Sequence, residues 1–214
     1  MLMKTENPIA FKEWAVIVNA FRQGKQILIL RKGGIREETG DFQVEHNEFF
    51  LFPTYEHQNK ADLKSELPSA PTELRTELHR DFEAVIRQKP SLDAFAIHCY
   101  AEVLDMVHIG REEDLSRIDP YHMWSKEAVQ KRFHFGRQKG LFVMAVKVYE
   151  LPSPHLIQVT PEYGGCKSWV ELKVPLTTKG AKPVLSDDVF QKRWHELQNV
   201  FQRLKLPVSD TSGV

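Results

Sequence analysis

The sequence predicts a single α+β domain in which a mixed, mainly antiparallel sheet is flanked by helices. Segments with strand composition do not alternate regularly with segments of helical periodicity, which disfavours a doubly wound parallel sheet. The chain has 214 residues, a length that suits one substantial domain. No internal repeat, low-complexity run or clear linker divides it. We therefore assign residues 1–206 to the domain and residues 207–214 to a mobile C-terminal tail.

Four segments are predicted to be helices. In three of them, residues 10–23, 72–88 and 187–204, apolar residues recur at spacings that place them on one face of a helix. The fourth, residues 126–133, follows a suitable N-cap. Gly24 is a suitable C-terminal stop, and Ser125 and Ser186 are suitable N-caps. The predicted helices cover residues 10–23, 72–88, 126–133 and 187–204.

Runs of β-branched and aromatic residues mark six strands. Gly33-Gly34 ends the first of them, and Pro53 stops the second. Gly164-Gly165 separates the last two, which predicts a hairpin. The polar residues 58–71 predict a surface loop. The predicted strands cover residues 26–32, 48–54, 94–109, 141–151, 155–160 and 168–174.

Composition excludes several classes of protein. Hydrophobic residues make up 42% and charged residues 27% of the chain, which is typical of a folded protein. The formal net charge of zero disfavours a globally basic nucleic-acid binder, although a local basic face stays open. Two cysteines, Cys99 and Cys166, without a C-x-x-C exclude a disulfide framework and a cysteine-rich zinc site. The N-terminus lacks a signal-peptide core and no apolar run reaches 18 residues, so we expect a cytoplasmic protein with free thiols and no membrane contact.

Arg31, Lys32, Gly33 and Gly34 form the first candidate site. Glycines let the backbone turn tightly and expose N–H groups, and the neighbouring cations attract anions. A phosphate or a carboxylate is therefore a possible ligand. The segment matches neither the Walker pattern nor G-x-G-x-x-G, so a plain turn with two solvated cations stays open.

Two Glu-His dipeptides, Glu45-His46 and Glu56-His57, form the second candidate site. Imidazole and carboxylate groups suit zinc, iron or manganese, but no motif fixes these four residues on one face and a metal is not favoured. In an alternative reading, His46 or His57 acts as an acid or base that a glutamate orients. Two ordinary hydrogen-bonded histidines are also compatible with the pattern.

Basic and aromatic residues are interleaved between residues 126 and 147 and form the third candidate site. Arg132, Arg137 and Lys139 are its candidate phosphate contacts, because cations with aromatic neighbours can follow a phosphate backbone and stack bases. A solvated basic face beside packed aromatics is the competing reading. Cys166 lies in GGCKSW without a hydrolase signature, and we interpret it as a structural thiol.

The stretches KEWAVIVNAFRQGKQILILRKGGI, FQVEHNEFFLFPTYEHQ, RFHFGRQKGLFVMAVKVYELPSP and GGCKSWVEL occur in that order. Together they resemble a bacterial family known only as a domain of unknown function, the 1802 family. The resemblance covers roughly residues 11–176. It implies a bacterial or archaeal protein, and it carries over no activity or catalytic residue.

The leading hypothesis is a polar cleft that binds a phosphate-bearing ligand, either a nucleotide or a nucleic acid. In it, Arg31 to Gly34 hold the anion, His46 or His57 orients it, and Arg132, Arg137 and Lys139 line the other wall. A metal-dependent hydrolase or nuclease and a non-catalytic protein-interaction module are the alternatives. No complete catalytic motif is present, and no motif specifies a cofactor.

Overall fold

The computed structural model of the chain describes residues 3–32, 45–64, 77–87, 94–136, 139–165 and 167–206. Within these ranges the strands are β1 (Glu6–Trp14), β2 (Leu28–Arg31), β3 (Glu48–Thr54), β4 (Ala94–Ile109), β5 (Leu141–Gln158), β6 (Trp169–Thr177) and β7 (Lys182–Pro183). The α-helices are α1 (Ala15–Arg22), α2 (Glu77–Arg87), α3 (Leu115–Ile118), α4 (Lys126–His134) and α5 (Asp187–Lys205). The predicted tail, residues 207–214, lies outside the described residues.

One sheet joins all seven of these strands, in the order β2–β5–β4–β3–β1–β6, with β7 paired to β5. The pairing of β1 with β3 is parallel. The other described pairings are antiparallel. The predicted α+β class with a mixed, mainly antiparallel sheet is therefore confirmed.

The sheet curls so that β2 approaches β1, although three strands separate them in the pairing order. The guanidinium of Arg31, at the end of β2, donates a hydrogen bond from Nη2 to the carbonyl oxygen of Lys12 on β1. Its Cζ lies 4.5 Å from the ring centroid of Phe11. We call this junction the seam: Phe11 to Glu13 on β1 with Arg31 on β2.

Hydrophobic cores lie on both faces of the sheet, because successive side chains of a strand point to opposite faces. Phe11 and Phe49 belong to the larger core, which the helices cover. Their neighbours Ala10 and Phe50 belong to the smaller core on the other face. The seam opens on the face of the larger core.

The predicted helix over 10–23 is wrong in its first half. Residues up to Trp14 form β1, which pairs with β3 on one side and β6 on the other. Tertiary pairing on both edges therefore outweighs the local spacing of Phe11 and Trp14. The stop at Gly24 is confirmed. Gly24 has φ +67°, and its N–H and that of Lys25 donate to the carbonyls of Phe21 and Ala20, a Schellman motif.

The predicted hairpin of residues 155–160 with 168–174 is also wrong. Residues 155–158 belong to β5 and pair with β4, while β6 pairs with β1. The ladder of β5 with β4 shifts register between the pairs Cys99↔Glu150 and Ile97↔His155. The bulge this makes contains Pro152 and Pro154, which cannot donate to a ladder. The predicted strand ended at residue 151, whereas β5 continues to Gln158.

The other predicted helices and strands agree with the structure where it describes them, with small shifts at their ends. Residues 65–76 and residue 88, which belong to the predicted loop and the second predicted helix, lie outside the described residues. Ser125 caps α4 by accepting a hydrogen bond from the N–H of Ala128 at 3.2 Å. β7 and α3 were not predicted from the sequence. Cys99 is a free, buried thiol, and burial raises its pKa to about 12. In the described part of the chain, no helix is both long and apolar enough to cross a membrane.

Candidate functional site

Buried polar atoms without a hydrogen-bond partner are concentrated in one place. Native proteins pair nearly all such atoms. Among the described residues, the buried side-chain atoms that lack a partner are Glu13 Oε2, Arg31 Nε, His122 Nδ1 and Nε2, Trp124 Nε1 and Arg132 Nη1. We call these five residues the Arg132 cluster. They offer unmet hydrogen-bonding capacity of both kinds, donor and acceptor.

Two tryptophans and two arginines bring the cluster together at the seam. The Cζ of Arg132 lies 3.4 Å from the ring centroid of Trp124 and 5.5 Å from that of Trp14. The two tryptophan rings meet edge to face at 4.7 Å. Arg31 Nη1 lies 3.7 Å from Glu13 Oε2. The cluster is thus a set of cations packed against aromatic rings, with one carboxylate among them.

The turn from β1 into α1 fixes Glu13 and Trp14. Glu13 Oε1 accepts a hydrogen bond from the N–H of Trp14 at 2.8 Å. The carbonyl oxygen of Glu13 accepts one from Thr54 Oγ1 at 3.1 Å. The N–H of Val16, in the first turn of α1, donates to Gln58 Oε1 at 3.2 Å. Gln58, which follows β3, therefore caps the N-terminus of α1, because Trp14 at the N-cap position makes no capping hydrogen bond with its own side chain.

A short segment, Asn59 to Lys64, lies beside the other half of the cluster; we call it the strap. Leu63 forms an isolated antiparallel β-bridge with Trp124. The N–H of Lys64 donates to the carbonyl of Met123, and the N–H of Ser125 donates to that of Asp62, both at 2.8 Å. The strap thus holds the segment that leads into α4.

The charges around Arg132 are only partly balanced. Burial lowers the pKa of Arg132 to about 10. The carboxylates of Glu13 and Asp62 oppose this shift, and the nearby Arg31 charge adds to it. Arg132 is still a cation at neutral pH. An anion beside it would favour its charged form.

His122 contributes a neutral ring to the cluster. Its side chain is 1% exposed, and burial lowers its pKa to about 3. The charges of Lys64 and Arg132 lower it further, while the backbone at Trp124 opposes the shift. Lys64 Nζ donates a hydrogen bond to the carbonyl oxygen of His122 at 3.0 Å. It also forms an ion pair with Asp119 Oδ1 at 3.1 Å.

The structure divides the residues predicted to hold an anion. Arg31 and Arg132 come together in the cluster. Lys32 lies nearby and donates from Nζ to the carbonyl oxygens of Phe133 at 3.3 Å and Gly140 at 3.0 Å. It therefore ties the end of β2 to both ends of the connection between α4 and β5. Lys139 is exposed in that connection. Gly33, Gly34, Arg137 and Cys166 lie outside the described residues.

The two predicted histidines lie at opposite ends of β3. His46 precedes the strand and packs edge to face on Trp169 at 5.3 Å. Trp169 in turn packs on Phe11 at 4.8 Å, so His46 lies on the same face as the seam. His57 occupies an exposed turn after the strand, with φ +59°.

This placement does not support a shared metal ion. The seven residues of β3 separate the two Glu-His pairs by about 20 Å along the strand. Metal–ligand bonds are about 2 Å long, so Glu45 and His46 cannot ligate the same ion as Glu56 and His57. The described part of the chain contains no group of three or more His, Cys, Asp or Glu side chains that could hold a metal.

An open groove of about 330 Å³ lies between the start of β3 and β4, and none of its lining residues belongs to the cluster. Its carboxylates are engaged: Glu48 Oε2 accepts hydrogen bonds from Tyr100 Oη at 2.9 Å and from the N–H of Lys4 at 2.9 Å. Asp105 pairs with Lys205 at 2.7 Å. An acidic lining repels anions, so this groove does not suit a phosphate.

Sequence reasoning missed Glu13, Trp14 and His122 as members of the site. Glu13 and Trp14 fell inside the wrongly predicted helix, and a lone buried histidine carries no signal in a single sequence. Trp124 lies two residues before the basic and aromatic stretch of residues 126–147 and was not among the predicted contacts. The signal that unites these residues is a missing hydrogen bond, which is visible only in three dimensions.

The chain belongs to the family described as Domain of unknown function (DUF1802), whose model matches residues 10–196. No curated protein matches it. Among solved structures it is similar to the crystal structure of ASCH from Zymomonas mobilis, with 11% identity over 87% of this chain and 93% of that chain and a TM-score of 0.41. A tyrosine-to-phenylalanine mutant of that protein gives 11% identity, 87% and 96% coverage and a TM-score of 0.40. These values are too low to transfer a function.

Proposed function

We propose that the protein binds a phosphate-bearing ligand, a nucleotide or a nucleic-acid segment, at the Arg132 cluster and along the seam. The observation that supports this is the guanidinium of Arg132, held against Trp124 with Nη1 shielded from solvent and unbonded. The Nε of Arg31 is likewise unbonded. Guanidinium groups match phosphate oxygens with directed, charge-assisted hydrogen bonds. A phosphate between the two arginines would satisfy both.

Aromatic side chains around the seam suit the bases of such a ligand. Trp14, Trp169 and His46 are each half-buried, so none of the three residues is closed off from solvent. Bases stack on aromatic faces without a strong sequence preference. In this proposal His46 orients the ligand on the Trp169 side. His57 is assigned to the Trp14 end of the seam, because Trp14 pairs with Thr54 just before the turn that carries it.

The ligand must displace part of the protein to reach the cluster. Each cluster atom that lacks a hydrogen-bond partner is buried. Either the side chain of Arg132 or the strap therefore has to move when the ligand binds. Side-chain changes of this kind are common at binding sites. The cytoplasmic location expected from the sequence belongs to the same proposal, because nucleotides and nucleic acids are abundant there.

Calorimetric titration with Arg132→Met tests the proposal. The ligands are inorganic phosphate, the four ribonucleoside monophosphates and short single-stranded oligonucleotides at low salt. Arg132→Met is expected to weaken binding by about 1.5–3 kcal/mol, because a charge-assisted hydrogen bond is lost. Lys131→Met is the matched control, since Lys131 is the exposed neighbour on α4 and should leave the affinity unchanged.

Salt provides a second test of the same proposal. If several phosphates of an oligonucleotide are contacted, its affinity should fall steeply as the salt concentration rises. Two results would contradict the proposal: no binding of any phosphate compound to the wild type, or equal affinities for the wild type and Arg132→Met.

A further inference from the structure

Glu13 is the member of the Arg132 cluster that a phosphate cannot satisfy. Its side chain is buried, with 2% of the residue exposed. Oε1 is used by the N–H of Trp14 at 2.8 Å. Oε2 has no hydrogen bond, and its 3.7 Å separation from Arg31 Nη1 is too long for one. One carboxylate oxygen therefore faces the site as an unused acceptor.

This acceptor constrains the chemistry of the ligand. An ionised carboxylate only accepts hydrogen bonds, and phosphate oxygens at neutral pH chiefly do the same. A bare phosphate would leave Glu13 Oε2 unbonded and would be repelled by its charge. A complete partner for the cluster must present a hydrogen-bond donor to Glu13 in addition to acceptors for Arg31 and Arg132.

We propose that Glu13 selects a ligand with a nucleobase, by accepting a hydrogen bond from an amino or ring N–H group on the edge of the base. This rests on the proposed phosphate-binding function and deepens it. Arg31 Nη1 lies 3.7 Å from Glu13 Oε2, so a donor stands beside the acceptor while Arg31 Nε is left for the phosphate. Base edges present a donor beside an acceptor. Trp14, adjacent in sequence to Glu13, offers a half-buried ring for stacking.

Glu13→Gln separates this role from that of a counter-ion. The substitution keeps the size of the side chain and removes its charge. The probes are the four ribonucleoside monophosphates, ribose 5-phosphate and inorganic phosphate, titrated by calorimetry. Wild type is expected to bind at least one nucleoside monophosphate about tenfold more tightly than ribose 5-phosphate, the difference that one good hydrogen bond makes.

In Glu13→Gln that preference should disappear. The affinity for the nucleotide is expected to fall about tenfold, while the affinities for inorganic phosphate and ribose 5-phosphate stay equal or rise because a repelling charge is gone. Glu171→Gln is the control, because Glu171 is exposed on β6. It should change none of these affinities.

The outcomes distinguish the inference from the function on which it rests. If Glu13→Gln increases the binding affinity for every ligand by the same factor, Glu13 is only a counter-ion to Arg31 and the inference is overturned. Equal affinity of the wild type for ribose 5-phosphate and all four nucleotides overturns it as well, even if the variant fails to fold. If the wild type binds no phosphate compound, the proposed function itself fails.

Discussion

The buried ring of His122 is expected to make the protein less stable as the pH falls from 7 to 5. Burial lowers the pKa of this ring to about 3, from an ordinary value of 6.5. Below pH 6.5 the unfolded chain therefore takes up a proton that the folded chain excludes, and the free energy of unfolding decreases. At pH 5 the loss from this one residue is about 2 kcal/mol. A typical domain has only about 5–15 kcal/mol of stability.

Urea unfolding of the wild type and His122→Leu at pH 7, 6 and 5 measures this effect. At pH 7 the variant should lie within about 1.5 kcal/mol of the wild type, since the side chains are similar in volume and two unbonded nitrogens are removed. At pH 5 the variant should have gained about 2 kcal/mol relative to the wild type. His195→Leu is the control, because His195 is exposed on α5.

The test is the difference between the wild type and His122→Leu in the free energy of unfolding at each pH, not the pH dependence of either protein alone. Burial also lowers the pKa of His98, which contributes a pH dependence to the wild type and the variant alike. Only the difference between the two curves reports on His122. Parallel curves from pH 7 to pH 5 would refute the reasoning, because they would mean that the ring is protonated in the folded protein or reaches solvent.

Two further changes test the packing of α5 and the hydrogen bonds of Lys32. Phe201→Ala should lower the free energy of unfolding by about 3–5 kcal/mol in a urea melt, since Phe201 is fully buried on α5. Val189→Ala, on the exposed side of that helix, is the control and should change it by less than about 0.5 kcal/mol. If Phe201→Ala leaves the free energy of unfolding unchanged, Phe201 has a binding role instead. Lys32→Ala should lower the free energy of unfolding by about 1.5–3 kcal/mol, because the carbonyl oxygens of Phe133 and Gly140 lose a charged donor. Lys139→Ala is its control in the same assay, because Lys139 is exposed.

Elements with a local signal could be predicted from the sequence. The ends of β3 and β4 agree with the prediction because apolar runs and turn residues bound them. Ser125 identified the start of α4, because a serine side chain can accept the hydrogen bond of the first helical turn. The stop at Gly24 depended on a backbone conformation that glycine adopts without strain.

Features that depend on distant partners could not be predicted. Phe11 and Trp14 fit a helix by spacing, and only the strands on either side of β1 decide otherwise. The bulge at Pro152 depends on the register of β4. Arg31 and Arg132 were both proposed as anion contacts from residue type alone, but their proximity, by which the Arg31 charge lowers the pKa of Arg132, follows from the curl of the sheet. The unused acceptor on Glu13 has no signature in the chain.

The position of β1 has a consequence for how the protein folds as it is synthesised. Phe11 pairs with Leu51 on one side and with Trp169, 158 residues later, on the other. β1 leaves the ribosome before both of its partner strands and therefore keeps one open edge until β6 has emerged. Contacts this distant in sequence slow folding, and an exposed strand edge can pair with another chain. Nascent chains stalled before β6 should thus be the form of this protein that depends most on chaperones.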